Sequence, residues 1–345
     1  MEDMRQHGEI TRPIGILDEH PEWSTRLIAE LDRRGLPWKR IDHSSHTYDP
    51  RDREPRFSVI VNRTSPSSHT RAHGGVLFYT EALLTHFEAA GIPVINPVAT
   101  WRFEKSKALQ AGLFERLGIR YPRALVVNHR EQLPGAAAQL RFPIVVKPNV
   151  GGSGAGIVRF DSPDDLVARA ASLELGPDGT ALVQEYIEAR DGAIVRIEVL
   201  DGRCLYAIRI LRSGDRFNLC PADICQIPTG STESRSAESN ACPVDGAQVL
   251  DIARYEPPAD AIDAAIRLTR AASIDVGGIE YLVGRDDGRI YFYDVNATSN
   301  FVANASAVLG FDPFVPFVDY ICARGALGSA PAEPERASDL VPTRR

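Results

Sequence analysis

The chain has 345 residues, 43% of them hydrophobic and 25% charged, and a formal net charge of −7. That length exceeds one typical domain and allows two or three packed units with a core that needs no disulfide staples. The acidic balance argues against broad nucleic-acid binding, which needs a basic surface, but not against a bound nucleotide, because distant carboxylates are screened beyond about 8 Å.

In chain order, RPIGILD (12–18) reads as a strand and 21–35 as a helix with Leu27, Ile28 and Leu31 on one face, stopping at Gly35. Strands follow at 37–42 and 56–63, then a helix over 75–91 and a strand at 92–96. This βαβ pattern predicts a small parallel α/β domain. Next come a helix over 103–117, a strand at 123–127, a helix over 130–140 and the strand 143–147. A Gly-rich loop leads into strand 156–160, a helix opened by SPDD at 162–165, and strand 180–187. From 191 the chain is β-rich, with a hairpin turning at Asp201-Gly202. The polar stretch 228–246 reads as a loop. Helix 259–272 precedes the strands GGIEYLV and RIYFYDVN, and a last helix near 312–324 precedes a Pro/Ala/Glu tail that composition leaves disordered from about 327.

The five cysteines (Cys204, Cys220, Cys225, Cys242, Cys322) are odd in number and lack metal-ligand spacing. They read as incidental or structural thiols of a reducing compartment. No apolar leader and no run of eighteen apolar residues is present. The expectation is a cytoplasmic protein with no membrane partner and no nucleic-acid partner.

Three stretches carry chemistry. In FPIVVKPNVGGSGAGIVRF a β-branched strand ends in Lys147, runs through Gly151, Gly152, Ser153 and Gly154, and becomes a strand again. Glycines let successive N–H groups point at one anion, and Lys147 adds a point charge, so this β–loop–β flap suits phosphate. In ALVQEYIEA the strand end at Gln184 and Glu185 offers backbone groups to an adenine edge, with Tyr186 and Ile187 against the ring and Glu188 or Asp191 accepting from ribose. In GGIEYLVGRDDGRIYFYDVNA, period two places Phe292, Asp294 and Asn296 on one face and Tyr291, Tyr293 and Val295 on the other. Glu280 sits mid-strand in an apolar run, where an unpaired carboxylate would be costly. Glu280, Asp294 and Asn296 are three hard oxygen donors of the kind Mg²⁺ takes.

In this order the three pieces resemble the ATP-grasp superfamily, most closely its RimK-type amino-acid ligases, over about residues 95–310. The resemblance implies an α/β (α+β) chain. Its parts would be an N-terminal α/β domain (1–98), a central subdomain with the glycine-rich flap (99–190), a C-terminal subdomain with the metal site (191–326) and the tail (327–345). In that family two lysines hold the α- and β-phosphates. The second matches Lys147 and the first Lys107, with Lys105 as the alternative. Glu185 to Ile187 match the adenine hinge. The family's metal triad is an acid followed by Glu-x-Asn, and here Asp294-Val295-Asn296 is one methylene shorter at its first member. Arg196 and the Arg216-Phe217-Asn218 triplet match positions near the phosphates and the acyl phosphate, so Arg196, Arg216 and Asn218 are the implied catalytic residues. Ile194 stands where the family has an acid.

The resemblance further implies ATP and Mg²⁺, with Mn²⁺ as the alternative ion, and small-molecule carboxylate and amine substrates, an amino acid or a peptide. Self-association into a homo-oligomer is left open. A carboxylate would attack the γ-phosphoryl group to give an acyl phosphate and ADP, and an amine would displace phosphate to form an amide. The rival readings are a phosphotransferase of the same fold acting on a hydroxyl and a non-catalytic ATP-binding protein. Arg63, His69, Arg71 and His73, in a polar loop of the first domain, are candidates for holding a substrate carboxylate, and SNFVANAS (299–306) for lying near the acceptor. Asp294→Asn is expected to spare folding and abolish metal-dependent activity.

Overall fold

Among the described residues three sheets account for the strands, and each follows a different sequence pattern. The computed structural model describes residues 10–152, 154–211 and 251–329. Near the N-terminus the unbroken apolar runs of β1 (Ile14–Leu17) and β3 (Val59–Asn62) are buried on both faces, as a parallel sheet requires. With β2 (Trp38–Ile41) and β4 (Val94–Ile95) they form a parallel sheet of order β2-β1-β3-β4. Helix α1 (Thr25–Arg33) packs Leu27 and Leu31 on one face, and α2 (Val76–Ala89) packs Leu83, Leu84 and Phe87 on the other.

Helix α3 (Val98–Glu104) leads to α4 (Lys107–Arg116). One helix was expected over 103–117. The chain breaks at Lys105, and Ser106 caps the second helix by accepting from the Leu109 N–H. The second sheet is antiparallel, in the order β5 (Ala124–Val127), β8 (Ala181–Glu185), β6 (Ile144–Pro148), β7 (Val158–Phe160). Two short helices cover it, α5 (Leu133–Ala137) and α6 (Pro163–Arg169). The helix expected over 130–140 is a 3-10 turn plus α5, shortened because Pro134 and Gly135 fall inside it. Ser162 caps α6 by accepting from the Asp165 N–H, as SPDD suggests.

The third sheet is also antiparallel, with order β11-β10-β9-β12-β13. Its long hairpin joins β9 (Ala189–Leu200) to β10 (Arg203–Leu211) through Asp201 (φ 52) and Gly202 (φ 67), two left-handed residues matching the right-handed twist of the strands. The edge strand β11 (Asp251–Arg254) was not expected, because DIAR has no run of β-formers. Helix α7 (Ala259–Ala271) lays Ala261, Ala264, Ala265 and Leu268 on one face of the sheet. Strands β12 (Val276–Gly284) and β13 (Ile290–Asn296) form the far edge. After α8 (Ala305–Leu309), helix α9 (Phe314–Ser329) runs three residues past the point where the tail was expected to begin. The Asp201–Gly202 turn and the mixed parallel and antiparallel sheets agree with the α/β (α+β) reading. The polar stretch 228–246 and Cys220, Cys225 and Cys242 lie outside the described residues, whereas Cys204 and Cys322 are free thiols.

One side chain pins the first sheet to the third. Asn96, left-handed at φ 57, donates through its amide to Val276 O and Ala297 O, and its oxygen accepts from Asp275 N (2.9 Å) and Val276 N (3.2 Å). It thereby ties the start of β12 to the residue after β13. Asn96→Ala leaves four buried backbone groups without partners and should cost on the order of 3 kcal/mol, read as a lower urea midpoint at unchanged slope.

Candidate active site

Period-two alternation builds both walls of one chamber. On the second sheet Ile144, Val146, Ala181 and Val183 turn into the small core beneath α5 and α6. Val145, Lys147 and Gln184 turn the other way and line the chamber, with Val145 opposite Gln184 in the strand register. On the third sheet one face carries Arg196 opposite Glu280 and Glu280 opposite Asp294, and beside them Glu198 opposite Gly278 and Gly278 opposite Asn296. Four polar side chains of this face, Arg196, Glu280, Asp294 and Asn296, line the same chamber.

Asp294 and Asn296 share a face, as expected, but Phe292 does not join them. A register shift after Glu280 pairs Tyr281 with Phe292 and leaves Tyr293 as an extra residue, a β-bulge. Phe292 therefore enters the apolar core with Tyr281 and Val295, while Tyr293 turns into the chamber and donates its hydroxyl to Glu280 Oε2 (3.0 Å).

The break between α3 and α4 decides which lysine reaches the site. Lys107, at the first position of α4, pairs its ammonium with Asp294 Oδ1 at 2.6 Å across the chamber. Lys105, the alternative, turns outward to Glu81. Asn149, two residues past Lys147, holds the helix start in place. Its carbonyl accepts from Lys107 N (3.1 Å), and its side chain accepts from Ala108 N (2.8 Å) and Ser106 Oγ (3.0 Å). Asn149 was not picked out from sequence, nor was Glu104, which lines the chamber and accepts from Ala297 N directly after Asn296. Their signal was weak: an Asn before a glycine run, and a Glu on what read as an unbroken helix.

Gly151, Gly152 and Gly154 line the chamber beside Lys147. Gly156, left-handed at φ +74, accommodates Pro148, whose Cγ would stand 2.8 Å from any Cβ there. Ser153, Arg216 and Asn218 lie outside the described residues. Of the strand-end segment, Gln184, Glu185, Tyr186 and Ile187 line the chamber. Glu185 N and Tyr186 N are bonded to Arg123 O and Pro143 O, both at 2.9 Å, whereas the Ile187 N–H has no hydrogen bond among the described residues. Glu188 is not among the residues lining the chamber: its carboxylate faces Arg159 at 3.9 Å, and Asp191 bonds Arg209 (3.2 Å).

The polar loop of the first domain is also committed elsewhere. Arg63 donates to Trp23 O (3.0 Å), Ser299 O (2.6 Å) and Asn300 Oδ1. Arg71 and His73 converge on the buried Glu19, and His69 faces its own Pro66 O. These are seams between elements. What the first domain presents to the chamber is Trp23, Ser65 and Pro66, joined by Thr298, Asn300 and Phe301 from the SNFVANAS stretch and the residue before it.

Residues 104–226 match the family described as a RimK-like ATP-grasp domain. The chain is similar to a probable alpha-L-glutamate ligase of Teredinibacter turnerae, 25% identical over 237 residues, covering 67% of this chain and 74% of that protein. A probable alpha-L-glutamate ligase of Vibrio vulnificus is 26% identical over 251 residues, covering 71% and 79%. These similarities support an ATP-grasp ligase of the RimK type. Two solved structures share the fold. One is the ATP-grasp ligase PsnB with a precursor variant, Mg and ADP (TM-score 0.63, 17% identity, 92% of this chain and 100% of that one). The other is a D-alanine–D-alanine ligase of Bacillus anthracis (TM-score 0.59, 18% identity, 92% and 95%).

The ligase's chamber is electrostatically uneven. Burial pulls the Lys147 amine down to about 7, and nearby Lys107 adds to the shift. Among the described residues its ammonium forms no direct ion pair, though the residue is only 7% exposed and Asp294 pulls the amine partly back up. For Lys107 burial acts downward too, but Asp294 outweighs it and the amine lies above its ordinary value. Burial pushes the Glu280 carboxyl up despite Arg196, and Glu104 up to about 7. An unpaired buried cation beside glycine amides is a seat for an anion.

The oxygen donors suit a hard cation. Among the described residues no cluster of three His, Cys, Asp or Glu side chains stands ready as a metal cage. Two carboxylates and an amide oxygen on adjacent strands, one carboxyl already above its ordinary value, instead fit an ion that fills its shell with water and phosphate, as Mg²⁺ does. No helix of the described residues is long and apolar enough to cross a membrane.

Proposed function

We propose that the ligase joins a carboxylate to an amine at the expense of ATP, through an acyl-phosphate intermediate, with an amino acid or peptide among its substrates. The supporting observation is the convergence of Lys107, Lys147, Gly151, Gly152, Glu280, Asp294 and Asn296 on one chamber, with the Ile187 N–H at its other end. Adenine would pair with Ile187 and lie along Tyr186, and the phosphates would take Lys147, Lys107 and the glycine amides. Glu280, Asp294 and Asn296 would hold Mg²⁺ or Mn²⁺, which supplies charge neutralisation at the phosphates. Arg196 would face the transferring phosphoryl group. Once formed, the acyl phosphate needs a protein that keeps water away and presents an amine, and the apolar Ile194, Leu282 and Phe301 serve the first task. The probable glutamate ligases similar to this chain favour an amino-acid amine.

The chamber's cavity of about 220 Å³ is smaller than the roughly 300–1,000 Å³ of most small-ligand pockets. Phosphate and a metal ion entering it would compete with the ion pairs Lys107–Asp294 and Arg196–Glu280. ADP release should require a carboxylate and an amine together, assayed across pools of amino acids and short peptides. Release with polyols alone would instead indicate a phosphotransferase, and tight ATP binding without release a binding protein. The lysine assignment has its own test. Lys105→Ala should leave ADP release within about twofold of wild type, while Lys107→Met should lower it about a hundredfold. Equal losses in the two variants would overturn the choice of Lys107.

A further inference from the structure

Arg196 lies between two carboxylates that do different things. Its Nε donates to Glu198 Oε1 at 2.6 Å and its Nη1 to Glu280 Oε1 at 2.9 Å. The strand register sets this up. Glu280 is directly opposite Arg196, Glu198 follows two residues along the same face, and Gly278 is opposite Glu198. The guanidinium consequently turns diagonally across Gly278, where an added Cβ would stand 2.1 Å from Nη2 and 2.2 Å from Cζ. That glycine serves the close approach, since its φ is not in the left-handed region.

Glu198 is fully buried, and its Oε2 has no hydrogen-bond partner among the described residues. A carboxylate in that setting is costly unless something charged needs it. The two acids differ in access, because Glu280 lines the chamber and Glu198 does not. A cation arriving in the chamber competes with Arg196 for Glu280 and leaves Glu198 untouched.

We propose that Glu198 is a positioning residue that holds the Arg196 guanidinium over Gly278 so that Glu280 can turn to the metal ion. This rests on Glu280 being a metal ligand, as proposed above. With Glu198 ionised, Arg196 keeps a full counter-charge whichever way Glu280 turns. With a neutral side chain there, releasing Glu280 strands a buried cation, and metal binding carries that penalty.

The test measures Mn²⁺ binding by electron paramagnetic resonance with ADP present, and ADP binding alone by calorimetry. Glu198→Gln should weaken Mn²⁺ binding about tenfold or more, the usual range for partners that orient metal ligands, and leave ADP affinity within about twofold. Glu198→Asp, which keeps the charge, should recover most of the loss. Should the Gln variant fail to fold, Gly278→Ala displaces the same guanidinium and must produce the same selective loss. Equal Mn²⁺ affinity in wild type and variants, or an equal loss of Mn²⁺ and ADP, overturns the role of Glu198 alone. A wild-type chain that binds no Mn²⁺ with ADP overturns the metal seat as well.

Discussion

Lys147→Met should make the protein more stable at neutral pH while lowering ATP-dependent ADP release by about two to three orders of magnitude. Both effects come from the same isolation. Among the described residues the buried Lys147 ammonium forms no ion pair, and burial together with Lys107 outweighs the nearby Asp294 and pulls its amine to about 7. The folded-state value lies below the unfolded one of about 10.4, so between the two the unfolded chain binds more protons and stability rises with pH. Below about 7 both states are protonated, and the fold bears the whole desolvation penalty, a few kcal/mol at most. Methionine has a similar shape and no charge, so the penalty disappears. Thermal melts at pH 6.5 and pH 9 should show the variant's advantage shrinking at the higher pH. Phosphate arriving beside Lys147 supplies the missing counter-charge, so nucleotide binding at pH 8 should take up a proton, seen as a dependence of binding heat on buffer ionisation. A variant that releases ADP at the wild-type rate would end the assignment of Lys147 to the phosphates.

The sequence was most readable where one residue type has few uses. A lysine closing a β-branched strand before a glycine run, and an acid inside an apolar strand, both stand out because burial without a partner is expensive. Lys147 and Glu280 accordingly sit on facing walls. Legibility failed where geometry depends on a single inserted residue or on what lies across the fold. The bulge at Tyr293 reverses the phase of the strand, so alternation placed Phe292 with Asp294 when it belongs to the core. Helix periodicity could not show that Ser106 breaks the helix before Lys107, although a Ser directly ahead of a helical run is a cap signal. Arg63 and Arg71 looked available because a polar loop usually faces water, and only the fold shows them bonded to Ser299, Asn300 and Glu19. Glu198 was invisible for the opposite reason. In RIEVL it passes for the outward residue of an amphipathic strand, and no local pattern reveals that the neighbouring strand has a glycine opposite it.

Asp294→Asn should abolish magnesium-dependent ADP release, by about a thousandfold or more, because the seat loses a charged oxygen that would hold the Mg²⁺ offsetting developing phosphate charge. From sequence alone this variant was expected to spare folding, and the ion pair across the chamber argues otherwise. Asp294 and Lys107 meet at 2.6 Å with only 20% and 15% of their side chains exposed. Burial alone would push the Asp294 carboxyl up, yet Lys107 holds it below the ordinary carboxylate range. Removing the anion strands the Lys107 cation beside Lys147, a loss on the order of 3 kcal/mol for a broken buried pair. Lys107→Met in the same chain removes the stranded charge, so the double variant should be more stable than Asp294→Asn by urea unfolding. It should remain as inactive as the single variant, because neither the cation seat nor the first phosphate contact survives. Stability and turnover then separate: one recovers when the charges balance, and the other does not. An Asp294→Asn chain that keeps the wild-type urea midpoint would show that the pair contributes nothing to the fold. Wild-type magnesium dependence in that chain would remove Asp294 from the metal seat.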